Sequence, residues 1–326
     1  MCGIVGNVLA RGDRMPDPAV LKRMNDRIAH RGPDDEGFFV DGPVGLAMRR
    51  LKILDLATGH QPMAGEGRRV WVVFNGEIYN FRELTGRLTA RGHVFTTRSD
   101  TEVIVHGWEE HGLAALGELE GGSRSRSGTL PRTLVLARDR RGIKPLYYAV
   151  LPDQIVFASE LKELVEHPMI DRTLDLTALS HCLAHEYVPA PHSIFRAIRK
   201  LAAGHWLTYS DGRVKIEPYW DIHFNRDGAI GEADAVEALH AVLDLSARQH
   251  LVSDVPLGVF LSGGIDSSTV AAFAARHFPG RLKTFSIGFE DPSFDETAHA
   301  RSSSWPATSP PPSTPSTSAS RSRSSS

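Results

Sequence analysis

The second residue of this chain is a cysteine, Cys2, placed directly after the initiator methionine. Removing Met1 leaves one residue that carries both a thiol and a free α-amino group. That amine has an ordinary pKa of about 7.7–8.0 and the thiol one of about 8.5. The amine can therefore take the thiol proton, directly or through water, and create a nucleophile with its own base. A small residue opening a buried strand would occupy the same place, so position alone leaves both roles open. Far downstream, "SGGIDSS" (Ser262 to Ser268) lies between an apolar run and a helical pattern. Glycines there let backbone N–H groups turn toward an anion, and a helix N-terminus adds a favourable field. No Gly-Lys-Ser/Thr follows, so this is not the Walker pattern.

Two kinds of segment must position these residues. Over the first 220 residues, "GIVGNVL", "VGLAMRRLKIL", "RRVWVVFNG", "TLVLARD", "LYYAVL" and "QIVFASE" read as strands bounded by Gly, Asp or Asn. Helical patterns cover Pro18 to Ala29 and Asn80 to Arg91, the latter with Phe81, Leu84 and Leu88 on one face and Asn80 as N-cap. A third helix follows Ser99 or Asp100 as cap and stops at Gly112. Many strands with flanking helices predict a layered α+β domain. After Trp220 the character changes. A helix is expected from Glu232 to Leu251, with Val236, Leu239, Val242 and Leu243 as its stripe. "VPLGVFL", a helix and "LKTFSIGF" then give strand, helix and strand, hence a parallel sheet with a right-handed crossover. The boundary is expected near residue 225.

Cys2 opens the chain in "MCGIVG", and four further stretches follow it in order: "HRGPDDEG" (His30 to Gly37), "RRLKILDL" (Arg49 to Leu56), "FNGEIYN" (Phe74 to Asn80) and "SDTEVI" (Ser99 to Ile104). Together these resemble the glutamine amidotransferases of the N-terminal-nucleophile class. "LARDRRGIKPLYY" (Leu136 to Tyr148) and "FASELKEL" (Phe157 to Leu164) extend the resemblance to the asparagine-synthetase branch. It covers nearly all of residues 1–301. The resemblance implies an αββα sandwich over 1–220, followed over 225–301 by an incomplete α/β ATP-pyrophosphatase domain. It also implies roles. Amide hydrolysis by a thiolate creates an oxyanion that needs fixed donors, and Asn75 with the Gly76 backbone N–H is given that task. Arg50 resembles the clamp on the glutamine carboxylate, and Asp100, with Glu77 nearby, the ammonium anchor. Taken singly, Arg50 is also a surface charge, Asn75 a turn residue and Asp100 a helix cap.

"SGGIDSS" resembles the pyrophosphate loop of ATP pyrophosphatases. On that resemblance Ser262, Gly263, Gly264, Asp266, Ser267 and Ser268 bind pyrophosphate, Asp266 helps to hold Mg²⁺, and Leu261 and Ile287 flank adenine. The implied chemistry joins the two sites: ammonia released from glutamine at Cys2 attacks a carboxylate that ATP has activated as an acyl-adenylate. The acceptor is aspartate in the branch resembled, giving asparagine, AMP and pyrophosphate, whereas relatives amidate other carboxylates, including some in surface-polysaccharide biosynthesis. The implied substrates are glutamine, ATP with Mg²⁺, and aspartate or another carboxylate, with no prosthetic group; the resemblance admits a homodimer.

Two stretches depart from the pattern. Where an apolar strand of the kind "FAFALWD" is expected before "LARD", this chain has "GGSRSRSG" (Gly121 to Gly128). Codons such as TTC GCG TTC GCG CTC TGG, read one base later, encode Ser-Arg-Ser-Arg-Ser-Gly, the residues at 123–128. A local frameshift is one reading and a genuine insertion the other. After Arg301 the sequence becomes Ser/Pro-rich, and residues 302–326 are expected to be disordered. A glutaminase without ATP chemistry, or an inactive remnant, are the alternatives these departures raise.

The remaining features set bounds. A formal charge of −2 gives no reason to expect nucleic acid or an anionic membrane. No apolar run reaches the roughly 18 residues of a membrane helix, and "MCGIVGNVLARGD" lacks the form of a secretory signal. Two cysteines are too few for a disulfide framework, which suits a reducing cytoplasm. Cys182 reads as a core thiol. His106, His111, His181 and His185 match no zinc spacing and read as surface or packing residues.

Overall fold

A computed structural model describes residues 2–122, 133–224, 228, 230–291, 293 and 295–302. Ser123 to Gly128 and the tail after Ser302 lie outside the described residues. The chain divides into two compact units, Met1–His223 and Phe224–Ser326.

The first unit begins β1 (Gly3–Leu9), α1 (Pro18–Asp26), β2 (Asp35–Asp41), β3 (Val44–Arg50), β4 (Met63–Ala64), β5 (Trp71–Val72) and β6 (Glu77–Ile78). Then come α2 (Phe81–Ala90), α3 (Glu102–His111), α4 (Ala115–Glu118), β7 (Gly121–Gly122), β8 (Leu134–Ala137), β9 (Tyr147–Leu151) and β10 (Gln154–Ala158). It closes with α5 (Leu161–Leu164), α6 (Leu176–His185), β11 (Arg199–Lys200), β12 (His205–Ser210) and β13 (Arg213–Pro218). One antiparallel sheet has the order β11-β9-β10-β1-β3-β2 and a second the order β13-β12-β8. The pairs β4–β5 and β6–β7 complete the second layer in separate pieces.

Side-chain alternation builds the layers. On β1, Ile4 and Val8 join Leu46 and Met48 of β3, Leu134 and Leu136 of β8, and Leu207 and Tyr209 of β12 in a core between the sheets. Val5 faces the other way, with Ala47, onto Val20, Leu21 and Met24 of α1 and Leu164 of α5. On β8 the intervening Val135 turns outward to meet Leu84 and Leu88 of α2 and Val103 and Ile104 of α3. The result is helix, sheet, sheet, helix. Among the described residues "RRVWVVFNG" forms a ladder only at Trp71–Val72. Beyond it Val73 belongs to the inter-sheet core and Phe74 to the helix-facing core, and the Phe74 N–H donates to the Gln61 side chain at 2.7 Å instead of to a strand.

Three local expectations change. Asn80 stands at the N-cap of α2 without capping it; its amide donates to the Glu118 carbonyl and accepts from the Glu120 N–H, both at 2.9 Å. Neither Ser99 nor Asp100 caps α3, whose N-cap position is Thr101, because Asp100 is turned onto the Ile78 N–H. Gly112 does end α3, at φ 57°. Cys182 is only half-buried on α6, a helix whose Leu176 and Leu183 are exposed.

In the second unit, α7 (Glu232–His250) precedes β14 (Gly258–Phe260), α8 (Ile265–His277) and β15 (Lys283–Phe285). β14 and β15 pair in parallel. α7 meets α8 through His277 Nε2 and Asp244 Oδ1, 2.9 Å apart, and through the rings of His240 and Phe273. The expected stripe of α7 is not core: Val236, Leu239 and Val242 are exposed and Leu243 is half-buried. Two short strands give the helix no sheet face wide enough to cover them.

Candidate active site

β1 and β3 pair with Gly3 opposite Arg49. Continuing that register by one residue sets Cys2 opposite Arg50, and alternation turns both to the side of Ile4 and Met48. Cys2 packs against the inter-sheet core, half-buried, its Sγ 3.7 Å from the Leu51 carbonyl. Its own carbonyl is held from two directions. Arg31 Nε donates to it at 2.8 Å. Asn75, its amide oriented to satisfy both neighbours, donates Nδ2 to the same oxygen at 2.9 Å and accepts from Arg31 Nη2 at 3.3 Å. Arg31 Nη1 continues to Glu160 Oε1 at 2.8 Å. The stretches "HRGPDDEG" and "FASELKEL" thus meet at the nucleophile.

Arg50, 5% exposed, donates Nη2 to the carbonyls of Leu54 and Asp55 at 2.7 and 2.9 Å. The loop that carries them is shaped by Asp55, at φ 49°, whose carboxylate accepts from the N–H groups of Thr58 and Arg98. Gly59 makes room for the guanidinium, since a Cβ there would lie 2.2 Å from Arg50 Nη2. Asp100, also 5% exposed, accepts from the Ile78 N–H at 2.9 Å. Burial lifts its carboxyl to about 6, with Glu77 adding to the rise and the Ile78 bond opposing it. Burial likewise pushes the Cys2 thiol up, and Asp100 adds to that while Arg50 opposes it.

Cys2, Arg50, Asn75, Gly76, Glu77 and Asp100 line one cavity of ≈ 510 Å³. Its lining brings together the thiol, the buried Arg50 guanidinium and the buried Asp100 carboxyl from sequence-distant segments. Four further residues in and behind this wall were not singled out by the sequence. Gln61 and Lys144 line it; Gln61 Nε2 donates to Thr101 Oγ1 at 3.1 Å and so ties the Phe74 strand end to the start of α3. Arg31 and Glu160 stand behind Cys2. Glu160 had a signal: with Glu163 it forms the capping box of α5.

The second set lies in the other unit. Gly263 sits at φ 91°, and Gly264 is the N-cap of α8. Ser262 and Ser267 face each other with hydroxyls 3.0 Å apart. Asp266 is exposed in the first turn, and Ser268 donates its N–H to the Gly264 carbonyl. Leu261 and Ile287 follow the ends of the parallel strands β14 and β15; Leu261 is buried and Ile287 is 64% exposed. A left-handed glycine, a helix start and two hydroxyls fit a phosphate group, and the Asp266 carboxylate fits a magnesium ion accompanying it.

A family model for the glutamine amidotransferase domain matches residues 1–220, and one for asparagine synthase matches residues 238–304. The chain is 38% identical over 305 residues to glutamine-hydrolysing asparagine synthetase 1 of Bacillus subtilis, covering 92% of this chain and 48% of that protein. It is 40% identical to asparagine synthetase 2 of the same organism, covering 88% and 40%. It therefore spans about half the length of these curated relatives. Among solved structures, the allosteric regulatory enzyme of purine biosynthesis aligns with a TM-score of 0.51 at 18% identity, covering 86% of this chain and 65% of that one, which speaks to the fold alone. Among the described residues no helix is long and apolar enough to cross a membrane. With two thirds of its length matched by the first of these models, the chain belongs to the glutamine amidotransferase family, and its residues 238–304 are similar to part of asparagine synthase.

Proposed function

We propose that this chain hydrolyses glutamine to glutamate and ammonia at Cys2, and that the ammonia serves an ATP-dependent amidation of aspartate in the cytoplasm. What carries the reading is the single cavity in which Cys2 lies with a buried cation, Arg50, and a buried carboxylate, Asp100. Glutamine presents both an α-carboxylate and an α-ammonium, so Arg50 and Asp100 fit its two charges while its side-chain amide reaches the thiol. Once Met1 is removed, the Cys2 amine takes the thiol proton. The thiolate attacks the carboxamide carbon, and the displaced electron pair rests on an oxygen facing the Asn75 Nδ2 and the Gly76 N–H. Asn75 has one amide hydrogen engaged by the Cys2 carbonyl, and its second remains for this oxygen. Collapse breaks the C–N bond, and the nitrogen leaves as ammonia with the proton returned by the amine. Water then cleaves the thioester, releasing glutamate and restoring the thiol.

The second half of the reaction rests on Ser262 to Ser268 as the pyrophosphate loop, with Leu261 and Ile287 beside the base. Asp266 would hold Mg²⁺, which supplies neutralisation of phosphate charge. The test is an assay of the purified chain for glutamate and AMP, with and without aspartate. The expected result is glutamate from glutamine in both, and AMP that depends on aspartate. Cys2→Ala should abolish glutamate formation, and a glutamine-mimicking alkylator should label Cys2 in a chain lacking Met1. Unchanged glutamate formation in Cys2→Ala, or labelling elsewhere, would refute the nucleophile.

A further inference from the structure

We propose that Glu66, His93, His106 and Glu109 form a divalent-cation site of the zinc class in the first unit, outside the glutamine cavity. One ligand atom from each of the four lies within 4.8 Å of the others. His106 Nδ1 is 3.2 Å from Glu109 Oε2 and 3.9 Å from Glu66 Oε1, and His93 Nδ1 is 3.6 Å from Glu66 Oε1. A tetrahedral ion with bonds of about 2.0–2.1 Å holds its ligands roughly 3.3–3.4 Å apart. Three of the separations, 3.2, 3.6 and 3.9 Å, lie near that spacing, and drawing all four ligands inside the 4.8 Å bound onto an ion takes only side-chain movement. Two imidazole nitrogens with two carboxylates suit zinc rather than magnesium or calcium, which take oxygen donors.

The surroundings of the two rings point the same way. His93 Nδ1 is buried and has no hydrogen-bond partner, while its Nε2 faces Glu110 Oε2 at 3.4 Å. His106, 2% exposed, faces Glu102 Oε1 with its Nε2 at 3.5 Å. A carboxylate behind each ring keeps the proton on Nε2 and aims the Nδ1 lone pair inward, as in carboxylate–histidine–zinc triads. Glu102 is itself fixed, by the N–H groups and hydroxyls of Thr96 and Thr97. The cluster gathers four carboxylates, one of which, Glu110, is bound by Arg91 at 2.7 Å. Gly65 leaves room for the Glu109 carboxylate in its present position, since a Cβ there would lie 2.1 Å from Glu109 Oε1. The bound ion would fasten the turn at Glu66 and the His93 segment to α3, the helix that follows Asp100.

The site was hidden from the sequence because its ligands come from three separate segments and His93 lies apart from the helix. The test uses metal-free protein in a Cys2→Ala background, titrated with Zn²⁺ by calorimetry and with Co²⁺ by visible absorption. One equivalent should bind, the melting temperature should rise with zinc, and cobalt should give tetrahedral d–d bands without thiolate charge transfer. His93→Gln, and the exposed Glu66→Gln should His93→Gln fail to fold, should lose that binding. Glu110→Gln, which faces the outer nitrogen of His93 and is not itself a ligand, should weaken it about ten- to hundredfold. Binding that is absent, or equal in wild type and His93→Gln, or accompanied by a thiolate band, would overturn the proposal. In that case the cluster is a proton-bridged ion-pair network.

Discussion

Burial lifts the Asp100 carboxyl from an ordinary 3.8 to about 6. A group raised in this way contributes stability below its unfolded pKa and loses it as pH rises through the folded one. A rise of that size corresponds to about 2–3 kcal/mol of destabilisation above pH 6. Asp100→Asn keeps an acceptor for the Ile78 N–H but carries no buried charge. It should therefore raise the denaturant midpoint at pH 8 by about that free energy, with the gain vanishing near pH 4. The same change should raise the KM for glutamine sharply, because the ammonium loses its partner; a gain over wild type no larger at pH 8 than at pH 4 would contradict the burial argument. Arg31 offers a separate test. It touches the Cys2 carbonyl, Asn75 and Glu160 and so orients the nucleophile without facing substrate charge. Arg31→Lys cannot reproduce that fork, and kcat should fall about ten- to a hundredfold while KM holds. A change confined to KM would assign Arg31 to binding instead.

At the scale of elements, what the sequence made legible was local. Runs such as "GIVGNVL" and "QIVFASE" form the expected strands, and the order of the short motifs named the cavity wall by wall. Their convergence was not legible, because it depends on β1–β3 register and on side chains such as Gln61 and Arg31 that link distant segments. The hairpin of β12 and β13 was overlooked although Asp211-Gly212, both at positive φ, carries the usual turn signal. Strand β8 shows where the departure at Ser123 to Gly128 bears. Among the described residues it pairs only with β12, and Trp71–Val72 pairs only with Met63–Ala64. If those six residues replace an apolar strand, substituting Phe-Ala-Phe-Ala-Leu-Trp for them should add about 1.5–3 kcal/mol for each large side chain buried. If three of the four large residues (two Phe, Leu and Trp) are buried, Tm should rise by about 10 °C or more. A melting temperature unchanged by the substitution would remove the frameshift reading and leave a genuine insertion.

Over the whole molecule the two units differ in how much they bury. The first has three clusters built from all of its layers, with side chains such as Tyr209, Phe157 and Met24 fully enclosed. The second gathers Leu261, Ala271 and Ala300 around Val259, and leaves Val236, Leu239, Val242 and Phe260 exposed. Apolar burial dominates folding, so the second unit should melt first. Two probes separate them. Trp71, Trp108, Trp206 and Trp220, four of the five tryptophans, lie in the first unit, whereas α7 and α8, of 19 and 13 residues, contribute helical dichroism in the second. Far-ultraviolet dichroism should therefore show an early transition that tryptophan fluorescence lacks, and glutamine hydrolysis should survive heating through it. ATP with Mg²⁺ binds only the folded loop at Ser262 to Ser268 on the proposed reading, so at a hundred times its dissociation constant it should stabilise that transition by about 2.7 kcal/mol. The later transition should not move. Coincident transitions would show that the units share one cooperative core, and an early transition indifferent to ATP would take the nucleotide away from this loop.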